Sequence, residues 1–260
     1  MSDRFDEIID RQHTSTVKFD ARKAVFGTDD VIPLWVADMD FSSPPEVIEA
    51  IKTRVDHGVF GYAVYPDSLY ESQIDWCQQR FDWAISKQQM VMCPGVVPSL
   101  VAAISALTSP GDQVIVQSPV YFPFFSAVTE IGRELVLNPL KETDGHYEID
   151  FAHLEQCAQA GAKILLFCSP HNPVGRVWTE AELHTLLALA ERHGLTIISD
   201  EIHGDLILPG YQHLPLATLT DKVNVITAMA PTKTFNIAGL ILSSLIIPKC
   251  ADKKAIEAVL

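Results

Sequence analysis

The feature that most constrains the fold is an alternation of short apolar runs with amphipathic helices from about residue 90 onward. The apolar runs are MVMC (90–93), QVIVQ (113–117), KILLFC (163–168), LTIIS (195–199), VNVIT (223–227) and ILSSLII (241–247). Because each run is continuous, the runs predict strands that are buried on both faces, as in a largely parallel sheet covered by helices. The fold class expected is therefore α/β, in three α/β/α layers around a mostly parallel sheet.

Helix signals separate these strands. Thr179 and Glu182 have the spacing of a capping box at the start of a helix that Gly194 ends. An earlier helix is predicted to begin at the two prolines 44 and 45 and to end near Gly58. We therefore expect an irregular N-terminal arm over residues 1–43 and one large domain over residues 44–260.

Composition excludes several classes of function. The net charge is −14, from 33 acidic and 19 basic residues, which argues against a nucleic-acid partner. The N-terminus has no apolar leader, and the longest weakly polar stretch, residues 234–248, is too short and interrupted to span a bilayer. The five cysteines form no CxxC pair, which favours buried thiols over disulfides or a metal site. We expect a cytoplasmic protein that uses neither a membrane nor a metal.

Residues able to do chemistry follow the predicted strands directly. In open α/β sheets, ligands bind beyond the carboxyl ends of the strands, so residues that follow different strands converge there. The strand ends at 93, 117, 168, 199 and 227 are followed by a glycine turn, an aromatic ring, an amide, a carboxylate and an amine, which are Gly95, Tyr121, Asn172, Asp200 and Lys233. The sequence thus predicts one ligand site at this edge.

Three blocks around these residues resemble a known family. SPHNPVG, ISDEIH and APTKTFNIAGL resemble the signature blocks of fold-type I, aminotransferase class I/II enzymes, which depend on pyridoxal 5′-phosphate. IPLWVADMDF, GYAVYP and DEIHGD are most similar to the MalY/PatB-like subgroup of cystathionine β-lyases and C–S lyases. The resemblance covers essentially the whole chain and implies pyridoxal 5′-phosphate as the cofactor.

The resemblance also assigns roles in holding the cofactor ring. Lys233 would be the catalytic residue, whose amine first condenses with the cofactor aldehyde and later acts as a base. Asp200 would pair with the pyridine nitrogen, and Asn172 would donate to the phenolate oxygen. Tyr121 would stack on the ring, and His203 would bond near the phenolate oxygen. The alternatives are a surface lysine, a helix-capping aspartate, a turn asparagine, a core aromatic and a structural histidine.

A second set of residues would hold the cofactor phosphate. Backbone N–H groups of Gly95, Val96 and Val97 would bind it at a helix N-terminus, and Thr232 would add a hydroxyl. Tyr62 resembles the tyrosine that family dimers lend to the neighbouring subunit's phosphate, and its alternative is an ordinary loop aromatic. The resemblance therefore implies a homodimer.

The sequence departs from the family pattern in two respects. Many members carry a phosphate-binding serine and arginine where this chain has Ala230 and Ile241, and the lyase subgroup often lacks the arginine. Family members also continue into a C-terminal small domain whose arginine clamps the substrate carboxylate, and no arginine follows Arg192 here. We therefore expect that the small domain is missing or truncated.

These features lead to three hypotheses about function. The first is a C–S lyase that catalyses α,β-elimination of a sulfur amino acid such as cystathionine, giving a thiol, pyruvate and ammonia. The second is an aminotransferase, which shares the early steps. The third is a truncated protein that binds pyridoxal 5′-phosphate with little turnover. In each case the expected ligand is a small-molecule amino acid.

Overall fold

The computed structural model describes residues 5–260, in which the chain forms two compact units. The arm unit comprises the chain up to Ala63 together with Pro231–Leu240, and the sheet unit comprises Val64–Ala230 and Ile241–Leu260. The division into an arm of residues 1–43 and a domain of residues 44–260 stays a prediction. The first four residues of that arm lie outside the described range.

A seven-stranded sheet is the centre of the sheet unit. Its strands lie in the order β1-β9-β8-β7-β6-β2-β3, and all are parallel except β9, which is antiparallel to both of its neighbours. A separate hairpin is formed by β4 and β5. The strand bounds are β1 Met90–Cys93, β2 Gln113–Val116, β3 Glu134–Leu137, β4 Lys141–Thr143, β5 His146–Glu148, β6 Ile164–Cys168, β7 Thr196–Asp200, β8 Val225–Met229 and β9 Ser243–Ile246.

The predicted fold class is confirmed, with two differences in detail. The strand predicted at 223–227 is displaced to Val225–Met229, because Ala228 still pairs with both neighbouring strands and Met229 still pairs with β9. The strand within 241–247 is antiparallel, although its apolar sequence suggested a parallel strand. An antiparallel return needs no helical crossover, and no α-helix lies between β8 and β9.

Helices of the sheet unit cover both faces of this sheet, and the helices of both units are numbered together in chain order. The bounds are α1 Val17–Asp20, α2 Arg22–Phe26, α3 Pro45–His57, α4 Asp67–Phe81, α5 Val96–Leu107, α6 Pro123–Thr129, α7 Phe151–Gln159, α8 Glu180–His193 and α9 Cys250–Glu257. Residues of α5, α6 and α9 form one core with the sheet, and residues of α7 and α8 form another. Within β6, Leu166 belongs to the first core and Leu165 to the second, as the alternation of side chains along a strand requires.

The predicted helix ends are also confirmed. Thr179 and Glu182 form the reciprocal capping box of α8, and Gly194 ends the helix in the left-handed region at φ 65°. Helix α3 begins at Pro45 and ends at Gly58, which adopts φ 75°. These local signals are independent of tertiary contacts, which is why the sequence sufficed to predict them.

The arm unit contains α1, α2 and α3 joined by irregular chain. All five cysteines of the protein lie in the described range as free thiols, and only Cys250 is exposed. Among residues 5–260, we find no helix with both the length and the apolar character needed to cross a membrane.

Candidate active site

The predicted site residues belong to both units. The sheet unit carries Gly95, Val96, Val97, Tyr121, Asn172, Asp200 and His203, and the arm unit carries Tyr62, Thr232 and Lys233. In the sheet unit, β1, β2, β6, β7 and β8 run in the same direction, so their carboxyl ends lie along one edge. The predicted convergence of strand ends is therefore present in this unit.

Asp200 is the last residue of β7 and lies between its pairing partners Cys168 and Ala228 on the adjacent strands. It is only 6% exposed. Its carboxylate accepts the backbone N–H of Ile202 at 3.1 Å, and its carbonyl oxygen accepts the N–H of Ser169 at 2.9 Å. A carboxylate is thus held at the carboxyl end of a central strand, in surroundings where a cationic ligand atom would be strongly favoured.

Tyr121 lies within electrostatic range of Asp200. Burial, together with the negative charge of Asp200, raises the pKa of the Tyr121 phenol above its usual value. The side chain remains 40% exposed, so Tyr121 is not a core aromatic residue. Its backbone N–H donates to the carbonyl oxygen of Asn172 at 2.9 Å. The structure therefore places the Tyr121 phenol near the Asp200 carboxylate and joins the backbone of Tyr121 to that of Asn172.

Asn172 lies in the SPHNPVG loop after β6, and several bonds close this loop. Its backbone N–H donates to the sulfur of Cys168 at 3.4 Å. The backbone of His171 pairs with that of Arg176, and the His171 ring donates through Nε2 to the carbonyl oxygen of Pro119 at 2.8 Å. Burial lowers the pKa of His171, which keeps the ring neutral. These bonds hold the Asn172 backbone at the edge of the sheet.

A cavity of about 500 Å³ opens beside Asn172 and His203. Its polar wall includes His146 and Arg176, and its apolar wall comes from the exposed side chains of Leu206, Leu208 and Tyr211. Arg176 is already bound to both carboxylate oxygens of Glu182 at 2.8 Å. The cavity thus offers apolar surface next to two of the predicted site residues.

Helix α5 begins at Val96, immediately after Gly95, which adopts φ 113°. No side chain caps this end of the helix. The first amides of a helix have no intrahelical partner, so those of Val96 and Val97 are suited to an anion. A Cβ atom added to Gly95 would lie 3.7 Å from Cγ2 of Ile241. The position where many family members carry arginine is therefore beside this helix end, and here it is apolar.

A buried pair supports the Asp200 segment, and the sequence did not reveal it. The Glu201 carboxylate accepts from the Ser199 hydroxyl at 2.8 Å and from the Leu216 N–H at 3.0 Å, and it contacts His213 Nε2 at 2.9 Å. Both members of the Glu201–His213 pair are buried. The end of β7 and the segment from His213 to Leu216 therefore meet at one carboxylate next to Asp200.

In the arm unit, the Lys233 amine donates to the carbonyl oxygen of Ala37 at 3.0 Å. Lys233 follows Thr232, which is 7% exposed and accepts the N–H of Ile237 through its carbonyl oxygen. The Tyr62 side chain is fully exposed. Lys233 therefore has a defined hydrogen-bond acceptor, and the Tyr62 side chain is exposed to solvent.

Asn236 is a further residue of the arm unit to which sequence reasoning gave no role. It binds the backbone of Met39 and Phe41, close to the acceptor of Lys233. Its place in the KTFN sequence, three residues after the lysine, was the available signal. The partner segment lies almost two hundred residues away in the chain, which a sequence pattern does not indicate.

The family model described as aminotransferase class I and II matches residues 29–259 of this chain. Among curated proteins, the cystathionine β-lyase PatB of Bacillus subtilis (strain 168) is 45% identical over 247 residues, which are 94% of this chain and 64% of PatB. The match to PatB extends through both the arm unit and the sheet unit.

Solved structures give the same result for the fold. Cystalysin from Treponema denticola, which contains a pyridoxal 5′-phosphate cofactor, matches with a TM-score of 0.91 and 39% identity, over 97% of this chain and 66% of cystalysin. The PLP-bound C–S lyase from Staphylococcus hominis matches with a TM-score of 0.88 and 35% identity, over 98% of this chain and 64% of the lyase. The chain thus spans less than two thirds of the length of each of these relatives.

Proposed function

The chain belongs to the aminotransferase class I and II family, and from that premise we propose that it binds pyridoxal 5′-phosphate and acts as a C–S lyase. The reaction is α,β-elimination from a sulfur amino acid such as cystathionine, with release of a thiol, pyruvate and ammonia. The observation that carries the proposal is the buried Asp200 carboxylate in one patch with Tyr121 and Asn172.

The residues present fit the cofactor. Asp200 supplies a buried carboxylate for the protonated pyridine nitrogen, and Tyr121 supplies an aromatic face for the ring. Asn172 supplies an amide for the phenolate oxygen, with His203 beside it on the same cavity. The uncapped start of α5, after Gly95, supplies N–H groups for the phosphate. The pyridine nitrogen, the phenolate oxygen and the phosphate therefore each have a chemically matched group in the sheet unit.

Each residue has a defined task in the reaction. The bound cofactor supplies an electron sink for the electron pair that remains on Cα when the Cα–H bond of the substrate breaks. Lys233 holds the cofactor through Nζ and, once released, takes the Cα proton at the same atom. Asp200 keeps the ring nitrogen protonated, because its charge favours a cationic neighbour. The cavity beside Asn172 and His203 accepts the apolar part of the substrate side chain.

Elimination is favoured over transamination by one feature of the phosphate site. Ile241 lies beside Gly95 where many aminotransferases have an arginine. PatB and the Staphylococcus hominis protein, which both match more than nine tenths of this chain, carry lyase names. Transamination, and binding without turnover, are the competing outcomes of the experiment below.

The proposed assembly is a homodimer in the cytoplasm. The fully exposed Tyr62 would bind the phosphate held by the neighbouring subunit, as the family resemblance implies. Such an arrangement makes each active site depend on both chains. Tyr62→Phe in a dimer would then weaken cofactor binding without a change in the oligomeric state.

The test begins with the lysine. Purified protein is incubated with pyridoxal 5′-phosphate and reduced with borohydride, and its intact mass is then measured by mass spectrometry. Wild type should gain one cofactor adduct, and Lys233→Ala should gain none. Lys222→Ala, which removes an exposed lysine that binds Glu191, is the matched control and should behave as wild type. An adduct on Lys233→Ala would refute the lysine assignment.

The products decide the reaction. The loaded protein is incubated with cystathionine while pyruvate and thiol are measured. Both products in equal amounts indicate the lyase, and exchange with a 2-oxo acid without thiol indicates the aminotransferase. A protein that forms the adduct but no product is the third hypothesis, and it would contradict the proposed activity while leaving cofactor binding in place.

A further inference from the structure

The Lys233 amine and the segment Ala37–Ser43 are bound together within the arm unit. The amine donates to the Ala37 carbonyl oxygen at 3.0 Å, although the two residues are 196 positions apart. The position of this carbonyl therefore contributes to where the amine is held. The question is what holds the segment in place.

Asn236 binds the segment from the lysine side. Its side-chain oxygen accepts the N–H of Met39 at 2.9 Å, and its side-chain nitrogen donates to the carbonyl oxygens of Met39 at 3.1 Å and Phe41 at 2.8 Å. The hydroxyl of Ser43 donates to the Asn236 carbonyl oxygen at 2.9 Å. The Asn236 side chain therefore pairs with backbone N–H and C=O groups of this segment, as a neighbouring β-strand would.

The backbone of Asn236 brings this side chain into position. Its φ of 52° lies in the left-handed region, which asparagine adopts more readily than most residues. The N–H of Asn236 donates to the carbonyl oxygen of Lys233 at 3.4 Å, which closes a turn between them. Lys233 and the Asn236 amide therefore belong to the same turn and move as one piece.

Two cations bind the segment through its own carboxylates. Arg11 contacts Asp38 at 2.8 Å and Asp40 at 2.6 Å, and Lys18 contacts Asp40 at 3.1 Å and the Asp38 carbonyl oxygen at 3.0 Å. Lys18 is only 6% exposed. Val36, which directly precedes the segment, has a φ of 60°. This value is strained for a β-branched residue and persists only where surrounding contacts impose it.

We infer that Asn236 is a positioning residue for Lys233: it fixes the Ala37 carbonyl and the lysine turn in one geometry, so that the amine is presented in a single direction. This inference rests on the proposed function, because the benefit of a fixed amine is its reaction with an aldehyde. The same segment is also held by ion pairs. Its carboxylates, those of Asp38 and Asp40, bind Arg11 and Lys18.

Three variants separate the contributions of Asn236. Asn236→Gly retains the left-handed backbone and removes all three side-chain bonds. Asn236→Asp retains the acceptor for the Met39 N–H and loses both donor bonds. Arg22→Met is the matched control, because Arg22 also makes two bonds to backbone carbonyls in the arm unit, those of Phe19 and Val31, without contact to the segment. Thermal melting of all variants measures any general loss of stability.

The first measurement needs no cofactor. Competitive acetylation, followed by peptide mass spectrometry, compares the reactivity of Lys233 with that of the exposed Lys222 in the same sample. Asn236→Gly should raise the acetylation of Lys233 severalfold toward that of Lys222, because the amine loses its fixed acceptor. Arg22→Met should leave the ratio at the wild-type value. An unchanged ratio in Asn236→Gly, or an equal change in Arg22→Met, would overturn the inference.

The second measurement uses pyridoxal 5′-phosphate and borohydride trapping. Loss of a positioned acceptor should slow adduct formation at Lys233 by about tenfold in Asn236→Gly, with Asn236→Asp between that variant and wild type. If wild-type Lys233 takes no cofactor, the proposed function fails, and the acetylation ratio still decides whether Asn236 positions the amine. An adduct rate in Asn236→Gly equal to wild type contradicts the inference alone.

Discussion

The backbone N–H of Tyr121 donates to the carbonyl oxygen of Asn172 at 2.9 Å, which joins the loop after β2 to the loop after β6. The bond uses main-chain atoms only, so it survives substitution of either side chain. Removal of the Tyr121 ring or the Asn172 amide therefore tests side-chain chemistry while the two loops stay connected. This separation makes Tyr121 and Asn172 suitable for mutagenesis.

Asp200→Asn should lower the pKa of the Tyr121 phenol. Burial and the charge of Asp200 both raise this pKa, and the substitution removes only the charge. Ultraviolet absorbance of the phenolate during alkaline titration measures the change, and Tyr121→Phe identifies which transition belongs to this residue. Under the proposed function, the same variant should lose about 100-fold in lyase turnover, because the ring nitrogen would lose its anionic partner. A Tyr121 titration identical to wild type would show that the two groups do not interact.

Ile241→Arg should tighten the binding of pyridoxal 5′-phosphate by about tenfold, since a guanidinium would lie beside the uncapped end of α5 and add a charge-assisted bond. Fluorescence or absorbance titration gives the dissociation constant. Ile241→Met, which adds no charge, serves as the control and should bind as wild type does. Equal affinities for the two variants would place the phosphate elsewhere.

Gly204→Ala should destabilise the sheet unit by about 1–3 kcal/mol. The added Cβ would lie 2.8 Å from Cδ2 of His213, whose ring is buried and bound to Glu201 and so has little room to move. Urea unfolding followed by circular dichroism measures the loss. Gly61→Ala, where nothing lies within 4 Å of the new atom, should change stability little. A Gly204→Ala protein as stable as wild type would mean that the His213 ring can shift.

Arg11→Met should destabilise the arm unit at neutral pH and have progressively less effect in acid. Burial acts to raise the pKa values of Asp38 and Asp40, but bonds and charge from Arg11 and Lys18 outweigh it and leave both pKa values lowered. Carboxylates with lowered pKa values stabilise the folded state above their usual pKa, and this stabilisation disappears as the pH falls below about 4.

Urea midpoints across the pH range test this dependence on Arg11. The difference between wild type and Arg11→Met should shrink as the pH falls. The control is Lys52→Met, which breaks only the exposed pair with Glu49 and should stay near wild type throughout. A difference that is constant with pH would exclude the two carboxylates as its source.

Local sequence signals predicted most of the sheet unit. Continuous apolar runs identified the buried strands, and the capping residues Thr179 and Gly194 identified the ends of α8. The strand Glu134–Leu137 was missed because it is an edge strand with exposed ends, and its apolar run is limited to Leu135, Val136 and Leu137. The direction of β9 was not predictable from its composition, because strand direction depends on the connection and not on the strand itself.

Site residues that follow strands directly were predictable from the sequence. Contacts between residues far apart in the chain were not. Asp200 and Asn172 come directly after apolar runs, so their position followed from the fold class. Lys233 bonds to Ala37, and Asn236 bonds to Phe41. These bonds join segments almost two hundred residues apart, so no local sequence pattern indicates them. Glu201 was missed for the same reason, since its partner His213 lies in irregular chain.

The arm unit is assembled from the start of the chain and from Pro231–Leu240, which interrupts the sheet unit between β8 and β9. During synthesis the segment Ala37–Ser43 leaves the ribosome long before Asn236 does, by roughly 10–40 s at ordinary elongation rates. The bond between Lys233 and Ala37 can therefore form only when synthesis of the sheet strands is almost complete.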